Sequence, residues 1–242
     1  MEQRPVTVVT GGSRGIGAAT CRRLAAEGHD VVVGYHADAE AAKRVVEDVR
    51  ATGAQSTAVQ LDTSVETDVD RLFDAAADVG PVTGLVNNAG ITGPVGRLVD
   101  VPADELLRVF DVDVVGYLLC ARRAARDMAG RGGAIVNISS GAATLGSPGE
   151  YVHYAAAKAA VDTITIGLSK ELAPDGIRVN AVAPGLIRTD IHADPGRLAR
   201  LAPTVPMQRA GEPEEVAGAV AWLLGLDASY TTGAILRVAG GR

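Results

Sequence analysis

The chain has 242 residues, of which 47% are apolar, and its formal net charge is −6. This length and composition suit one large core, so we predict a single domain over residues 1–242. The sequence contains neither a run of about 18 apolar residues nor a charged-then-apolar leader, and we expect a soluble, cytoplasmic protein without a membrane span. The acidic balance and the low aromatic content, 3%, argue against nucleic acid as a partner.

The first fifty residues predict a strand, a glycine turn, a helix and a second strand. Residues 5–10 are apolar and β-branched, and they lead into glycines and then into a helical stretch that ends at Gly28. Residues 30–35 form the next apolar run. This order is a βαβ unit, which pairs its two strands in parallel.

The same alternation continues to the C-terminus. Beyond the first unit, the predicted helices are 38–52, 65–79, 103–130, 152–173 and 213–224, and the predicted strands are 55–60, 83–87, 133–138, 177–183 and 234–238. Strands that are almost wholly apolar and separated by helices predict a parallel sheet covered on both faces. We therefore predict an α/β fold, a doubly wound Rossmann sheet of about seven strands, with residues 185–212 as a loop with one short helix over its edge.

Three glycines, Gly11, Gly15 and Gly17, stand where the first strand meets the first helix. Glycine there permits a tight turn and a close approach of the backbone, and the helix N-terminus offers N–H groups to a pyrophosphate. The spacing differs from the common dinucleotide fingerprint. A purely structural turn stays the alternative to nucleotide binding.

Tyr154 and Lys158 are four residues apart in the predicted helix 152–173 and therefore share one of its faces. An ammonium beside a phenol stabilises the phenolate and lowers the pKa of the phenol from about 10. One ammonium is too little to bring that pKa near neutrality, so we expect a second positive charge, such as an oxidised nicotinamide ring, beside the pair. The alternative is a surface Tyr and Lys at helical spacing.

Five motifs in this order resemble those of the classical short-chain dehydrogenases/reductases. They are Thr10-Gly11-Gly12-Ser13-Arg14-Gly15-Ile16-Gly17, Asn87-Asn88-Ala89-Gly90, Ser140, Tyr154-x-x-x-Lys158, and Pro184-Gly185 with Thr189. The resemblance covers essentially the whole chain. Within the family, the sequence resembles bacterial members of the glucose 1-dehydrogenase-like and 3-oxoacyl-carrier-protein reductase-like groups.

The resemblance implies an NAD(P)-dependent oxidoreductase that interconverts a ketone or aldehyde and an alcohol. Tyr154 would be the general acid in reduction, Ser140 would hydrogen-bond the substrate oxygen, and Lys158 would hold the nicotinamide ribose and lower the pKa of the tyrosine. Tyr151 lacks a lysine four residues on. Ser139 stays an alternative to Ser140, because the gap to Tyr154 is one residue longer than the family's usual spacing.

Asp113 departs from the family pattern, which usually has asparagine at this position. The family's asparagine acts partly through its backbone carbonyl, which Asp113 keeps. Its carboxylate would pair with Lys158 or stay protonated in a buried site. We expect activity to persist with an altered pH profile.

The resemblance also assigns residues to the dinucleotide. Asp62 would accept the adenine amino group, although a helix cap near Val65 is its alternative role. Ile187 and Thr189 would bind the carboxamide, and Asn87 would line the cofactor or brace the sheet. All the predicted cofactor contacts are Gly11, Ser13, Arg14, Gly15, Ile16, Gly17, Tyr35, His36, Asp62, Asn88, Ala89, Gly90, Tyr154, Lys158, Pro184, Gly185, Ile187 and Thr189.

The end of the second strand favours NADP(H) over NAD(H). An acidic residue there would bind the ribose 2′-hydroxyl and repel a 2′-phosphate. The strand ends instead in Tyr35-His36, and Asp38 is displaced into the start of the next helix. Arg14, with Ser13, offers a guanidinium to the phosphate. A surface charge at a helix start is the alternative role of Arg14.

Other polar residues show no further site. His192, Arg197 and Arg200 would either meet an anionic substrate group or remain solvated loop charges, and the histidines lack ligand spacing, so we predict no metal. Cys21 and Cys120 lie in helical patterns and are expected to be buried thiols. The partner is then a small carbonyl or alcohol substrate, and the resemblance implies a homotetramer. A rival function is a dinucleotide-binding redox sensor without turnover.

Overall fold

The structure, a computed structural model, describes residues 4–191, 194 and 196–242. Its seven strands are β1 (Val6–Val9), β2 (Asp30–Tyr35), β3 (Ser56–Gln60), β4 (Val82–Asn87), β5 (Gly133–Ile138), β6 (Ile177–Pro184) and β7 (Ile235–Val238). They form one parallel sheet in the order β3-β2-β1-β4-β5-β6-β7. The predicted doubly wound fold is confirmed. The strand order reverses between β1 and β4, where α/β folds place their ligands.

The helices lie between the strands in the predicted alternation. They are α1 (Gly15–Ala26), α2 (Ala39–Ala51), α3 (Glu66–Val79), α4 (Ala103–Phe110), α5 (Gly116–Met128), α6 (Ala142–Leu145), α7 (Val152–Glu171), α8 (Arg197–Leu201) and α9 (Pro213–Leu224). Short 3₁₀ turns occur at Leu98–Asp100, Ala173–Asp175, Ala202–Thr204 and Leu226–Ala228. The short helix α8 lies inside the segment 185–212, where the sequence predicted a loop with one short helix.

The sheet separates two hydrophobic layers. Successive strand residues point to opposite faces, so Val9 packs with α1, α2 and α9 while Val8 packs with α3, α5 and the C-terminal end of α7. Cys21 lies in the first layer and Cys120 in the second, and both thiols are free and buried, as predicted. Burial raises the pKa of each thiol to about 12. Neither thiol is therefore a ready nucleophile.

The predicted continuous helix 103–130 is interrupted. A π-helical turn at Asp111–Val115 separates α4 from α5, and the N–H of Gly116 donates to the carbonyl of Asp111. The turn places the side chain of Asp113 in the interior. Such turns are frequent at functional sites. Within the described residues, no helix has the length and apolar character needed to cross a membrane.

Candidate active site

A cavity of about 450 Å³ opens at the carboxyl ends of the strands. The predicted site residues that line it are Gly11, Ser13, Arg14, Gly15, Ile16, Tyr35, His36, Asp62, Asn88, Ala89, Gly90, Ser140, Tyr154, Lys158, Pro184, Gly185, Ile187 and Thr189. Two predicted residues, Gly17 and Asp113, lie behind this lining. Residues from five separate motifs thus meet in one cavity.

The glycine turn fits a backbone that must approach closely. Gly11 and Gly15 have φ of +63° and +51°, the left-handed region that favours glycine. A Cβ at Gly17 would lie 2.2 Å from the carbonyl oxygen of Gly11, so Gly17 has a packing role rather than a contact role. Asn88 Nδ2 donates to that same oxygen at 2.9 Å. Helix α1 begins after Arg14 without a side-chain cap, which leaves its first N–H groups available to a phosphate.

Tyr154, in the first turn of α7, and Ser140, which follows β5, line the same cavity. The side chain of Ser140 is near enough to Tyr154 to lower the pKa of its phenol, and Lys158 lines the cavity with both residues. Ser139 is buried and also lines the cavity, but its Oγ donates to the backbone carbonyl of Lys158 at 3.4 Å. The geometry therefore favours Ser140 over Ser139 as the polar partner of Tyr154.

The ammonium of Lys158 is held by three groups of the protein. It donates to the hydroxyl of Tyr117 and to the carbonyl of Ile138, each at 3.0 Å. The fully buried Asp113 lies beside it as an ion pair, with Oδ2 3.2 Å from Nζ. Oδ1 of Asp113 accepts from the N–H of Ile91 at 2.8 Å. Of the two roles predicted for the carboxylate, pairing with Lys158 is the one observed.

The charges of this cluster set the protonation states. Burial lowers the pKa of Lys158, but Asp113 and two tyrosine hydroxyls raise it well above its ordinary value, so the ammonium stays charged. Burial raises the pKa of Tyr154, Lys158 lowers it, and Asp113 raises it again. The net direction is upward, because burial and the nearby carboxylate outweigh one ammonium. The second positive charge that the sequence analysis expects beside the pair stays a prediction.

A buried chain of amides braces the strands beneath the site. Asn87 Nδ2 donates to Asn137 Oδ1 at 3.0 Å and to the carbonyl of Tyr117 at 3.2 Å. Asn137 Nδ2 in turn donates to Thr165 Oγ1 at 2.9 Å. Asn87 lies outside the cavity lining, which places it in the bracing role of the two that the sequence left open.

Asp62 forms an ion pair rather than a helix cap. Helix α3 starts after Val65 with no side-chain cap, whereas Asp62 Oδ2 accepts from Arg108 Nη2 at 2.8 Å. Sequence reasoning missed Arg108, whose partner lies 46 residues away. The other lining residues that it did not name are Ala37, Leu61, Thr63, Ile91, Thr92, Val112, Ile138, Asp190 and Ile191. For some of them, a position just after a predicted strand was the one sequence feature that could have indicated a place in the cavity.

A second cavity of about 350 Å³ shares Ser140, Tyr151, Pro184 and Gly185 with the first. Arg197 borders it, buried and paired with Glu150 at 3.0 and 2.8 Å, and donates to the hydroxyl of Tyr151 at 2.5 Å. Arg197 is thus not the solvated loop charge that the sequence allowed. Arg200 is exposed and pairs with Asp194 at 2.7 Å. The third residue of that prediction, His192, lies outside the described residues.

Comparison with known proteins gives matches over nearly the whole chain. The family described as enoyl-(acyl carrier protein) reductase matches residues 11–242. The uncharacterized oxidoreductase YgfF of Escherichia coli K12 is 48% identical, covering 98% of this chain and 99% of its own.

Two solved structures extend the comparison to bound nucleotides. A blue fluorescent protein from a metagenomic library, in complex with NADPH, has a TM-score of 0.92 at 38% identity and covers 98% of this chain and 97% of its own. A short-chain dehydrogenase from Burkholderia cenocepacia J2315, in complex with NADP, has a TM-score of 0.93 at 37% identity and covers 100% and 99%. Fold and sequence thus agree over nearly the whole chain in these matches.

Proposed function

Because the chain belongs to the classical short-chain dehydrogenases/reductases, NAD(P)-dependent oxidoreductases acting on CH–OH groups, we propose that it interconverts a small ketone or aldehyde and its alcohol with NADP(H). The observation that carries the proposal is the cluster of Tyr154, Ser140 and Lys158 in the cavity that the glycine turn also lines. The second cavity, which adjoins Ser140, is the proposed substrate side.

Each residue has one task in the proposed reduction. Tyr154 gives its phenolic proton to the substrate oxygen as the carbonyl becomes an alcohol. Ser140 donates a hydrogen bond to that oxygen while negative charge develops on it. Lys158 holds a positive charge beside the phenol and stabilises the phenolate that remains. When bound, the nicotinamide supplies the hydride that the carbonyl carbon accepts.

The cavity residues support a dinucleotide and favour one that carries a 2′-phosphate. The uncapped start of α1 and the glycine turn suit a pyrophosphate. Arg14 and His36 line the wall beside the end of β2. Asp38, the acidic residue nearest that end, accepts from the N–H of Ala41 at 2.9 Å as the N-cap of α2. One oxygen of its carboxylate, Oδ1, is thus engaged by the helix.

A reductase assay with NADPH and with NADH tests both parts of this proposal. We expect NADPH to be oxidised with at least one member of a panel of ketones, sugars and acyl thioesters, and we expect a lower KM for NADPH than for NADH. A lower KM for NADH would overturn the cofactor preference. Cofactor binding without turnover of any panel member would favour the redox-sensor alternative.

Replacing Asp113 with asparagine is expected to keep activity and to move its pH profile to lower pH. Asp113 raises the pKa of Tyr154, so removing its charge lowers that pKa. Reduction needs protonated Tyr154, so its rate should begin to fall at a lower pH than in the unmodified protein. Alcohol oxidation needs the phenolate, so its rate should begin to rise at a lower pH. The measurement is kcat/KM against pH in both directions. Asp111→Asn, an exposed neighbour in the same turn, is the control and should leave the profile in place.

A further inference from the structure

Asp62 and Arg108 lie at the end of the cavity farthest from Ser140. Asp62 follows the edge strand β3, whereas Ser140 follows β5, and β2, β1 and β4 lie between these two strands. Neighbouring strands are about 4.8 Å apart, so the two ends of the cavity are roughly 19 Å apart across the sheet. Within the proposed function, the nicotinamide lies near Ser140 and the base of the dinucleotide lies at the Asp62 end.

The carboxylate of Asp62 is fixed in one orientation. Ser64 donates to Oδ1 through its N–H at 3.0 Å and through its hydroxyl at 2.6 Å. Arg108 donates to Oδ2 at 2.8 Å and to the Ser64 hydroxyl at 3.3 Å. These contacts leave Oδ2 with spare acceptor capacity.

Asp62 is also held in its ionised form. Burial would raise the pKa of Asp62, but the hydrogen bonds from Ser64 and Arg108 lower it to about 2. At neutral pH the carboxylate is therefore an acceptor without a proton of its own. Arg108 borders the same cavity with its side chain 40% exposed. A ligand in the cavity thus meets an oriented acceptor that is backed by a guanidinium.

We propose that Arg108 is a positioning residue that makes the site selective for adenine over hypoxanthine. Held by Arg108, Oδ2 of Asp62 accepts from the exocyclic amino group of adenine. Hypoxanthine carries an oxygen in place of this amino group, and two acceptors would then face each other at a fixed distance. Without Arg108 only the two Ser64 bonds to Oδ1 hold the carboxylate, so Oδ2 is no longer fixed and the penalty against hypoxanthine falls. The inference rests on the proposed function, since it requires a bound dinucleotide.

Binding affinities test this inference without turnover. Calorimetric titration of the unmodified protein should give an affinity for NADPH about tenfold or more above that for its hypoxanthine analogue, the size of one good base contact. In Arg108→Met this ratio should fall towards one, and Arg108→Lys should give an intermediate ratio. Asp62→Asn should favour the analogue, because a carboxamide can donate to the oxygen of hypoxanthine.

Arg71 provides a matched control. It pairs with Asp68 at 2.6 Å, and Asp68 accepts from the backbone N–H of Asp62 at 2.9 Å, but Arg71 lies outside the cavity lining. Arg71→Met should keep the tenfold ratio. Equal affinities in the unmodified protein, or an unchanged ratio in Arg108→Met, would overturn the inference and leave the proposed function standing. Failure to bind either dinucleotide would overturn both.

Discussion

Phenylalanine at position 154 is expected to lower the rate of carbonyl reduction by a factor of about a hundred to ten thousand, the usual contribution of a positioned general acid. The phenolic oxygen of Tyr154 is the proton donor of the proposed reaction. The affinity for NADPH should change little, since the ring keeps its edge contact with Tyr151, 5.4 Å between centroids. The measurements are steady-state reduction with the most active panel substrate and calorimetric titration of NADPH.

Tyr151→Phe is the matched control for this variant. The hydroxyl of Tyr151 donates to no reacting atom in the proposed mechanism and accepts instead from Arg197 at 2.5 Å. We expect Tyr151→Phe to keep most of the activity that Tyr154→Phe loses. Equal rates for Tyr154→Phe and the unmodified protein would refute the assigned acid. A large loss in Tyr151→Phe alone would move the role to that residue.

Local sequence patterns predicted the parts of this molecule whose physics is local. Alternating apolar strands and helices fixed the layer architecture, because each element must bury its apolar face. Tyr154 and Lys158 were predictable as a pair, because four residues in a helix place two side chains on one face. The glycines were predictable because a tight turn between strand and helix requires them.

Contacts between residues distant in sequence were not predictable in this way. Arg108 contacts Asp62, 46 residues away, and Tyr117 contacts Lys158, 41 residues away. No periodic pattern in the sequence predicts either contact. The sequence indicated Asp113 only as a departure from a family pattern. Its carboxylate contacts Ile91 and Lys158, which lie elsewhere in the chain. Tertiary packing therefore decides how the charges of the site are arranged.

Methionine at position 158 is expected to destabilise the protein by about 3–5 kcal/mol, the usual cost of removing one partner from a buried ion pair. Lys158 is the counter-charge of Asp113, which has no exposed surface. Urea unfolding at neutral pH measures the loss. The double variant Lys158→Met with Asp113→Asn should regain much of it, because no net charge then stays buried. Arg22→Met, which breaks the exposed pair with Asp48, should cost only about 0–1 kcal/mol.

The pH dependence of the stability of Lys158→Met distinguishes the effect of the unpaired Asp113 carboxylate from the effect of lost packing. Burial raises the pKa of Asp113 in the folded protein, and Lys158 is the main group that lowers it. Without Lys158 the folded pKa lies well above the unfolded value of about 3.9. Native Asp113 then takes up a proton as the pH falls, so the deficit relative to the unmodified protein should be smallest below about pH 4 and should grow as the pH rises through the folded pKa. A deficit that stays constant with pH would mean that lost packing, and not the unpaired carboxylate, destabilises the variant.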